Sequence, residues 1–485
     1  MKVCLVYADI GGLEHYGARK YYHGVGYLSS VLKQAGHDTV LLYLDHEPTR
    51  DEFVTAIAAL QPAVVAFSST THQHPYVERC ARWVKESSPQ MVTVVGGAHP
   101  TLAPDQVLAN PDIDFVCVGE GEYPLLDLVN AMDAGQELIA IPNLWLRRNG
   151  RDIRNVLRPL IANLDDLPFP DRELFDFDQI LAANDGWVDM LAGRGCPYGC
   201  SYCCNPGLRE RFKDLGPYVR FRSVENILAE IRELAGRYPI KTLNFQDDTF
   251  TLDRRWTLDF CEAYGREFSY PFWINTRVER IAEEQVVAAL ARAGCRGVRI
   301  GLESGNEELR TRVLKRRMSN DEIRHAFALA RKHGLDVYTC NMLGIPGETA
   351  EMIEETIALN RELEPAGLQF SVFYPYPMTE LYEDCVRHGY LVEDRKLHSY
   401  YERKSVLNLP TLTGDELETA YDAFQELKVE LQMKKANPRR YRIYQVLRAV
   451  LGGNGRKARS VMRRAAQVLP LHRVRPSRSA QAGEK

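Results

Sequence analysis

Short apolar, β-branched runs alternate with longer amphipathic stretches through the first 135 residues of the chain. The first such pair is the apolar run Lys2–Ala8 and the helical pattern Gly24–Ala35. Regular alternation of this kind predicts parallel strands with helices on both faces of the sheet. The remaining segments are predicted as the strands Thr39–Leu44, Ala63–Ser68, Met91–Val95 and Phe115–Val118 and the helices Arg50–Leu60, Tyr76–Ser87, Asp105–Ala109 and Tyr123–Met132.

A second alternating series begins near residue 188. Its strand-like and helical segments predict a (β/α)6 partial TIM barrel, with functional sites on the loops at the carboxyl ends of the strands. The predicted strands are Val188–Ala192, Lys241–Phe245, Phe272–Arg277, Gly297–Leu302, Val337–Leu343 and Leu368–Tyr374. The predicted helices are Val224–Ala235, Arg254–Glu267, Ala282–Ala293, Asn320–His333 and Glu351–Leu363.

The segment between the two series is predicted to be a linker. Ile141–Val156 has the pattern of a β-hairpin with Asn149-Gly150 as its turn. The segment Asn163–Asp176, rich in proline and acidic residues, is predicted to be extended. The expected division is an α/β domain at 1–136, a linker at 137–187, the partial barrel at 188–380 and a helical carboxyl-terminal region at 381–485.

Composition is that of a soluble globular protein, with 45% hydrophobic and 26% charged residues. At roughly 150 residues per domain, the length predicts about three domains. No apolar run approaches the roughly 18 residues that a membrane span requires. No signal peptide begins at Met1, and 11 cysteines in 485 residues is ordinary usage, which argues against a disulfide framework. We therefore expect a cytoplasmic protein.

Three cysteines, Cys196, Cys200 and Cys203, follow the first predicted barrel strand with the spacing Cys-x3-Cys-x2-Cys. Three thiolates on one tight loop can hold three irons of a cubane 4Fe–4S cluster and leave the fourth iron open to a ligand. Zinc sites usually pair two cysteine or histidine hairpins, and no second pair follows downstream. A ferredoxin needs a fourth spaced cysteine, whereas Cys204 is adjacent to Cys203.

This loop, with Tyr202 before its last cysteine, resembles that of the radical S-adenosylmethionine (SAM) enzymes. The resemblance implies that the open iron binds SAM and that Tyr202 lies at the cofactor site. It further implies that one electron, from a donor such as flavodoxin or ferredoxin, cleaves SAM to a 5′-deoxyadenosyl radical.

The loops after the second and third barrel strands carry charged residues that suit the two ends of the SAM amino acid. Carboxylates accept hydrogen bonds from ammonium groups, and by resemblance Asp247 and Asp248 face the SAM amino group. Capping of the next helix by Asp248 or Thr249 is the alternative. Arg277 is a candidate partner for the SAM carboxylate, with a structural salt bridge as the alternative.

The loops after the last three barrel strands resemble other motifs of the same enzymes. Gly301-Leu-Glu-Ser-Gly305 is similar to the ribose motif, which implies contacts from Glu303 and Ser304. Gly344-Ile-Pro-Gly-Glu348 is similar to the adenine motif, which implies contacts at Gly344 and Gly347. In the last loop, Met378 stands where relatives often have glycine, a change expected at the substrate rim.

Glycine-rich turns follow two strands of the first domain, at 96–100 and 119–122. Ligands of parallel sheets bind at this edge, and glycine lets the backbone approach a large flat or phosphate-bearing ligand; tight turns are the alternative. The opening 135 residues resemble the cobalamin-binding domain that precedes many radical SAM enzymes. The resemblance implies a Rossmann-like domain that binds cobalamin at Gly97, Gly119, Glu120 and Gly121.

None of the 12 histidines has aspartate two residues before it, so the Asp-x-His-x-x-Gly motif that ligates cobalt is absent. We therefore expect cobalamin to bind without a histidine ligand. His15, His23 and His99 lie in predicted loops and have no assigned role.

The carboxyl-terminal region is helical and basic in pattern. Gly414–Lys435 has the periodicity of an amphipathic helix. From Lys434 to Lys485 there are 15 Lys and Arg against one acid, Glu484, so this tail carries +14 while the whole chain carries −4. A helical lid with solvated arginines and attachment to anionic lipid head groups at the inner face of the membrane are both open. Nucleic-acid binding is less favoured because no recognised binding module accompanies the charge.

Together, the resemblances imply a cobalamin-dependent radical SAM enzyme that methylates an unactivated carbon of a secondary-metabolite or lipid-like substrate. An oxidative cyclase or a rearrangement enzyme is the alternative. A non-catalytic cobalamin or cluster sensor is less favoured, because a sensor does not need contacts to ribose and adenine. Fold analogy does not identify the substrate.

Overall fold

The computed structural model of the chain describes residues 1–10, 18–392, 402–439, 441–442 and 444–445. Its amino-terminal part is built on a sheet whose first five strands are parallel, in the order β2-β1-β3-β4-β5. These strands are β1 (Lys2–Ala8), β2 (Asp38–Leu44), β3 (Val64–Ser68), β4 (Val92–Gly96) and β5 (Phe115–Cys117).

Helices cover both faces of this sheet, and for this reason β1, β3 and β4 are almost entirely buried. The predicted alternation of strands and helices is confirmed, except that the single helix expected near residue 105 is a pair of short helices. The helices are α1 (His23–Gln34), α2 (Arg50–Leu60), α3 (His74–Ser87), α4 (Ala98–Leu102), α5 (Pro104–Leu108) and α6 (Glu122–Asp133).

The predicted hairpin exists but belongs to the first sheet instead of a free linker. Its strands β6 (Leu144–Arg148) and β7 (Arg151–Arg154) are antiparallel, and β6 pairs with β5. Asn149 and Gly150 both have positive φ, as the tight turn requires. The reason for the correction is apolar burial, since the Leu144 and Leu146 side chains join the core of this sheet.

The chain then crosses to the second sheet through short turns instead of a fully extended segment. Two 3-10 turns, at Leu164–Asp166 and Glu173–Phe175, precede the helix α7 (Phe177–Ala183). Asn163 caps the first turn by accepting a hydrogen bond from the Asp165 N–H. Phe175 and Phe177 are buried between the two sheets, so this crossing segment joins the cores of both.

The second sheet is the predicted six-stranded partial barrel. Its six strands are all parallel and follow one another in chain order from one edge to the other. The strands are β8 (Trp187–Met190), β11 (Thr242–Phe245), β12 (Phe272–Thr276), β13 (Cys295–Glu303), β14 (Asp336–Leu343) and β15 (Gly367–Val372). The helices that cover its outer face are α9 (Val224–Arg237), α10 (Arg254–Glu267), α11 (Glu284–Arg292), α12 (Asn320–Lys332) and α13 (Ala350–Leu363).

A small subdomain between β8 and β11 carries the cysteine loop. It consists of an antiparallel ribbon, β9 (Gly193–Arg194) with β10 (Arg220–Phe221), and the helix α8 (Asn205–Arg211). After β15 the chain forms α14 (Glu380–Arg387), whose Leu381 N–H donates a hydrogen bond to the Ser201 carbonyl in the cysteine loop. The end of the barrel therefore folds back over the loop that follows its first strand.

The amphipathic helix predicted at Gly414–Lys435 is confirmed as α15 (Gly414–Ala436). Its apolar face packs on α13 and β15, with Phe424 fully buried against Phe370. The basic tail from residue 446 onward lies outside the described residues, and so does His15. No helix among the described residues is long and apolar enough to cross a membrane.

Candidate active site

The three predicted cluster cysteines lie on a loop that the barrel holds from several sides. Cys196 and Cys200 are buried and Cys203 is partly exposed. The Ser201 side chain donates a hydrogen bond of 2.5 Å to the Val313 carbonyl, and the Ser201 N–H donates one to Leu314. Because the loop is anchored midway between its cysteines, its geometry is set by the surrounding barrel.

Two cysteines of the loop have opposite acid–base environments. Burial raises the pKa of Cys196. The Cys204 thiol beside Cys203, together with the N–H groups of Asn205, lowers the pKa of Cys203. Thiolate is the form that binds iron, so this environment favours ligation by Cys203. The Cys204 thiol therefore stabilises the charge of the neighbouring Cys203 thiolate.

No three Cys, His, Asp or Glu side chains of the described residues converge closely enough to hold a single metal ion. A cubane cluster does not require such convergence, because each thiolate binds a different iron. A cluster bound by three thiolates is anionic, and the surroundings of Cys200 suit that charge. The Arg277 Nη1 lies 3.4 Å from its Sγ, and the Arg316 Nη1 lies 3.9 Å from it. The residues present therefore fit a 4Fe–4S cluster.

Arg277 forms the structural salt bridge considered for it, and its pairing with the SAM carboxylate stays a prediction. Its Nη2 donates a hydrogen bond of 2.8 Å to Glu279, which is the predicted structural salt bridge. Its guanidinium also stacks 3.7 Å above the Tyr198 ring in the cysteine loop. The side chain is buried, and its Nε has no hydrogen-bond partner among the described residues. The Arg277 guanidinium therefore places a positive charge against the cysteine loop, and its Nε–H remains available as a hydrogen-bond donor.

The two adjacent aspartates at the end of β11 have different positions. The Asp247 carboxylate accepts hydrogen bonds from the N–H groups of Ala192 and Gly193, at 3.0 and 2.6 Å. Burial raises the pKa of Asp247 to about 7, although these two N–H groups act in the opposite direction. Because its carboxylate is committed to the backbone that leads into the cysteine loop, Asp247 is a structural residue here, contrary to the expected contact with SAM.

Asp248 is the aspartate that faces the cysteine loop. The Asn205 side-chain amide donates a hydrogen bond of 3.2 Å to it and lies 3.4 Å from the Cys203 sulfur. The alternative role as helix cap is wrong for Asp248 and Thr249, because α10 is capped by Asp253. An ammonium group beside the Asp248 carboxylate would supply a charge of opposite sign.

Glu303 ends β13 in a conformation that is uncommon for residues other than glycine. Its φ is +65°, and the pairing of β13 with β14 shifts register between Gly301 and Glu303. The carboxylate turns back over Gly301, where a Cβ would lie 2.2 Å from its Oε1. The Tyr202 hydroxyl donates a hydrogen bond of 2.9 Å to that same oxygen. This bulge therefore joins the predicted ribose residue to the cysteine loop.

Arg316 is the residue of this site that sequence reasoning missed. Its Nη1 donates to the Tyr202 hydroxyl at 3.2 Å and lies 3.9 Å from Glu303, while its Nη2 donates to the Gly301 carbonyl at 2.5 Å. The guanidinium is buried, and burial raises the pKa values of both Tyr202 and Glu303. The structure thus brings together an arginine, a tyrosine and a glutamate beside Cys200.

Ser304 is not brought to the same place as Glu303. It is fully buried, and its hydroxyl accepts from the Asn306 N–H and lies 3.4 Å from the Thr356 hydroxyl on α13. The expected ribose contact is corrected, since this side chain faces the outer helix layer. Gly305 beside it packs directly on the α13 backbone.

The predicted adenine motif is a rigid turn after β14. Gly344 and Gly347 both have positive φ, +73° and +83°. The Glu348 carboxylate accepts hydrogen bonds from the N–H groups of Gly344 and Ile345, at 2.7 and 3.2 Å. Burial raises the pKa of Glu348 to about 8. The Glu348 side chain, for which the resemblance implied no role, therefore stabilises this turn.

A cavity of about 300 Å³ opens at the carboxyl ends of the amino-terminal strands. Gly97, Gly119 and Gly121 line it, as predicted. A Cβ on Gly97 would lie 2.9 Å from the Ser69 backbone, and one on Gly119 would lie 2.7 Å from the Phe212 ring. Glycine backbone and apolar side chains at the end of a parallel sheet fit a large flat ligand such as cobalamin.

The predicted cobalamin residue Glu120 lines this cavity too, and its carboxylate also has partners in the second domain. Its carboxylate is paired with Arg194 and Arg220 of the barrel subdomain. Of the unassigned histidines, His23 lines the cavity and its Nε2 lies 3.2 Å from the Asp189 carbonyl, while burial lowers its pKa to about 4. His99 is buried against His74.

The amino-terminal domain also contacts the opposite edge of the barrel. The His72 ring packs against Tyr374 after β15, and its Nε2 lies 3.2 Å from the Tyr376 hydroxyl. Met378 in the same loop has a φ of +63°, a conformation that favours glycine, and it packs on Gly207 of α8. The substitution noticed in the sequence therefore lies where the last barrel loop meets the cysteine subdomain.

Two protein families match the chain at the positions of these two sites. Residues 190–359 match the radical SAM superfamily, and residues 17–129 match the B12-binding domain. The first range contains the cysteine loop, Asp248, Glu303 and Arg316. The second range contains the glycine-lined turns. The cofactors of the protein are therefore a 4Fe–4S cluster, SAM and cobalamin.

Three relatives align over most of the chain. An uncharacterized methyltransferase of Pyrococcus horikoshii is 29% identical over 81% of this chain and 84% of its own length. The anaerobic magnesium-protoporphyrin IX monomethyl ester cyclase of Rubrivivax gelatinosus is 27% identical over 74% of this chain and 65% of its own. The hopanoid C-3 methylase of Methylococcus capsulatus is 25% identical over 74% of this chain and 67% of its own.

Solved structures share the fold. The radical SAM methyltransferase TsrM from Kitasatospora setae superposes with a TM-score of 0.66 at 18% identity, over 80% of this chain and 76% of that one. The cobalamin-dependent radical SAM enzyme OxsB superposes with a TM-score of 0.68 at 15% identity, over 96% of this chain and 71% of that one. With both matches in their expected places, the chain carries a radical SAM domain after an amino-terminal B12-binding domain.

Proposed function

We propose that the protein transfers the methyl group of SAM to an unactivated carbon of a secondary metabolite or lipid-like molecule. One observation carries the proposal. The segment Leu191–Cys196 lines the amino-terminal cavity at Leu191 and Arg194 and ends at a cluster cysteine. Two cofactor sites joined by so short a segment suit a reaction that needs both cofactors. The two relatives named as a methyltransferase and a methylase support the same reaction.

When bound, the cluster and SAM supply a 5′-deoxyadenosyl radical and cobalamin supplies a methyl carrier. The residues of this chain hold and shield those groups. Arg277 and Arg316 place buried positive charge beside Cys200, where it offsets the charge of the thiolates. Asp248 offers a carboxylate to an ammonium group. Burial raises the pKa of Tyr202, so its hydroxyl keeps its proton and donates to Glu303.

The test uses SAM with a trideuterated methyl group and an extract of small molecules and lipids from cells that contain the protein. The full chain is reconstituted anaerobically with iron, sulfide and cobalamin and is then assayed with dithionite as the source of electrons. We expect a product that carries three deuterium atoms, with both 5′-deoxyadenosine and S-adenosylhomocysteine formed. A variant with all three cluster cysteines changed to alanine is the matched control and should form no 5′-deoxyadenosine. Consumption of SAM without deuterium in any product would reject methyl transfer.

Oxidative ring closure is the second candidate, and the similarity to the cyclase of Rubrivivax gelatinosus favours it. Ring closure needs hydrogen abstraction but no transfer of the SAM methyl group. In the same experiment it would give an altered product without deuterium. The two candidates are therefore separated by the label alone.

An electron donor and a cellular site complete the proposal. Pro197 and Gly199 at the tip of the cysteine loop are exposed, which supports access by a small donor such as flavodoxin or ferredoxin. Partly exposed aromatic rings at His72, Tyr374 and Tyr376 support a substrate with an apolar surface. The basic tail supports a cytoplasmic location with peripheral contact at the inner face of the membrane.

A further inference from the structure

Four charged side chains meet between the amino-terminal domain and the cysteine subdomain. Glu120 lies in the loop after β5 and Glu122 begins α6, while Arg194 and Arg220 come from the ribbon β9–β10. Arg194 donates to Glu120 at 2.7 Å and to Glu122 at 2.6 Å, and Arg220 donates to both oxygens of Glu120 at 3.0 Å. All four side chains are at least four-fifths buried, so their charges are poorly screened by solvent.

The ribbon by itself is electrostatically unfavourable. Arg194 and Arg220 are direct cross-strand partners, and like charges placed opposite each other destabilise a strand pair. A buried guanidinium also requires a charged or hydrogen-bonding partner. The Glu120 carboxylate lies between the two arginines. In the sequence it precedes Arg194 by 74 residues and Arg220 by 100 residues. The ribbon is therefore completed by a residue of the other domain.

The ribbon leads directly into the cysteine loop. Arg194 is followed by Gly195 and Cys196, and a Cβ on Gly195 would lie 2.3 Å from the Tyr218 carbonyl. On the amino-terminal side of Arg194, the N–H groups of Ala192 and Gly193 donate hydrogen bonds to the Asp247 carboxylate. Because the backbone on both sides of Arg194 is tightly constrained, we expect a displacement of the Arg194 backbone to move Cys196 as well.

The same amino-terminal loop touches the far side of the cysteines as well. Gly119, next to Glu120, packs on the ring of Phe212. Phe212 directly follows α8, which begins two residues after Cys203. Two consecutive residues of one loop thus contact the chain before the first cysteine and the chain after the last.

We propose that Glu120 is a positioning residue, which fixes the cysteine loop relative to the glycine-lined cavity of the amino-terminal domain. Glu120 also lines that cavity, but its carboxylate acts through Arg194 and Arg220. The inference rests on the two cofactor sites and does not depend on whether the reaction is methyl transfer or ring closure.

The test measures the separation of the two cofactors in the full chain. The protein is reconstituted anaerobically, the cluster is reduced and cobalamin is brought to its cob(II) state, so that both centres are paramagnetic. Pulsed electron paramagnetic resonance then reports the distribution of distances between them. We expect a narrow distribution for the parent and a broadened or shifted one for Glu120→Gln, with the same iron and cobalamin content. Glu120→Asp, which keeps the charge, should lie between the two.

A measurement without cofactors accompanies it. Amide hydrogen exchange over residues 192–196 should be about tenfold faster in Glu120→Gln, because a buried pair that loses one partner opens locally. Glu137→Gln is the matched control, since Glu137 forms an exposed ion pair with Arg148 in the same domain. It should leave both measurements unchanged. Adding Arg220→Gln to Glu120→Gln removes one of the two facing cations and should restore part of the protection.

Two outcomes would overturn the inference. The first is a parent-like distance distribution in Glu120→Gln with both cofactors retained. The second is loss of cobalamin in Glu120→Gln with unchanged exchange over residues 192–196, which would make Glu120 a cofactor contact. If Glu120→Gln does not fold, the same two outcomes are read from Glu120→Asp.

Discussion

The Arg316 guanidinium donates a hydrogen bond of 3.2 Å to the hydroxyl of Tyr202, the residue directly before the third cluster cysteine. The same guanidinium holds the Gly301 carbonyl and lies near the Glu303 carboxylate. One buried cation therefore links the cysteine loop to the end of β13.

We predict that Arg316→Gln destabilises the protein by about 3 kcal/mol, because Glu303 is left buried without its cation. The variant should still bind iron, since all three cysteines remain, but it should bind SAM more weakly. Thermal unfolding of the protein and equilibrium binding of SAM to the reconstituted protein measure the two effects. Arg317→Gln is the matched control, because Arg317 is exposed and its change should stay within about 0.5 kcal/mol. Equal effects of the two substitutions would contradict the role of Arg316.

A variant with Cys196, Cys200 and Cys203 all changed to alanine should retain almost no iron after anaerobic reconstitution, whereas the parent should hold about four irons per chain. Cobalamin binding should persist, because the cavity at the amino-terminal sheet does not include these cysteines. Iron analysis and the absorption spectrum of bound cobalamin report both results. Cys261→Ala, at a buried cysteine on α10, is a control that should keep its iron. Parent-like iron content in the triple variant would exclude this cluster site.

The aspartates at the end of β11 should separate in their effects. Asp247→Ala is expected to lower stability by about 2 kcal/mol, because two buried N–H groups lose their acceptor. Asp248→Asn should leave the thermal midpoint nearly unchanged and raise the dissociation constant of SAM, since it removes the charge that faces the cysteine loop. A loss of stability in Asp248→Asn together with weaker SAM binding in Asp247→Ala would show that Asp247, and not Asp248, faces the SAM site.

The strand and helix pattern of both domains was predictable because apolar periodicity reports burial, and burial is what these layered folds require. The sequence also contained a signal that distinguishes Asp247 from Asp248. Side chains alternate between the two faces of an extended chain. Asp247 therefore lies on the same face as the buried Phe245, and Asp248 lies on the same face as the exposed Gln246. The same alternation puts Ser304 on the side of the buried Leu302.

Arg316 and Glu120 could not be chosen from the sequence. Arg316 lies within three consecutive basic residues, and only tertiary packing buries the middle one. Glu120 lies in a motif that resembles a cofactor-binding loop, whereas its partners Arg194 and Arg220 are brought to it by the docking of two domains. Contacts across such sequence distances leave no periodic signal.

Truncation after Ala436 should abolish binding to anionic vesicles, if the basic tail is a peripheral membrane anchor. α15 packs its apolar face on the barrel, so the protein should keep its fold without the tail. Co-sedimentation of the full chain should be strong with anionic vesicles, weak with neutral ones, and reduced at high salt, because the Debye length falls from about 10 Å at 0.1 M to about 3 Å at 1 M. If both proteins sediment equally with anionic vesicles, the tail is not an anchor.

Glu348 should make stability depend on pH in the direction opposite to that of a salt-bridged carboxylate. Burial raises its pKa to about 8 from an ordinary value near 4.5. Between these two values the folded state binds a proton that the unfolded state has lost, so its contribution to stability falls as pH rises from about 5 to 8. One carboxylate oxygen has no partner among the described residues, which is where that proton fits.

Glu348→Gln keeps the shape of the side chain and its acceptor for the Gly344 N–H but cannot ionise. Relative to the parent, the variant should therefore gain on the order of 2 kcal/mol at pH 8 and little at pH 5. Thermal midpoints of the cofactor-free proteins across this range provide the measurement. Glu351→Gln, at a solvent-exposed glutamate in the first turn of α13, is the control and should show no such difference. A parent and a Glu348→Gln variant with parallel pH profiles would mean that Glu348 is ionised in the folded protein, held by the turn it caps.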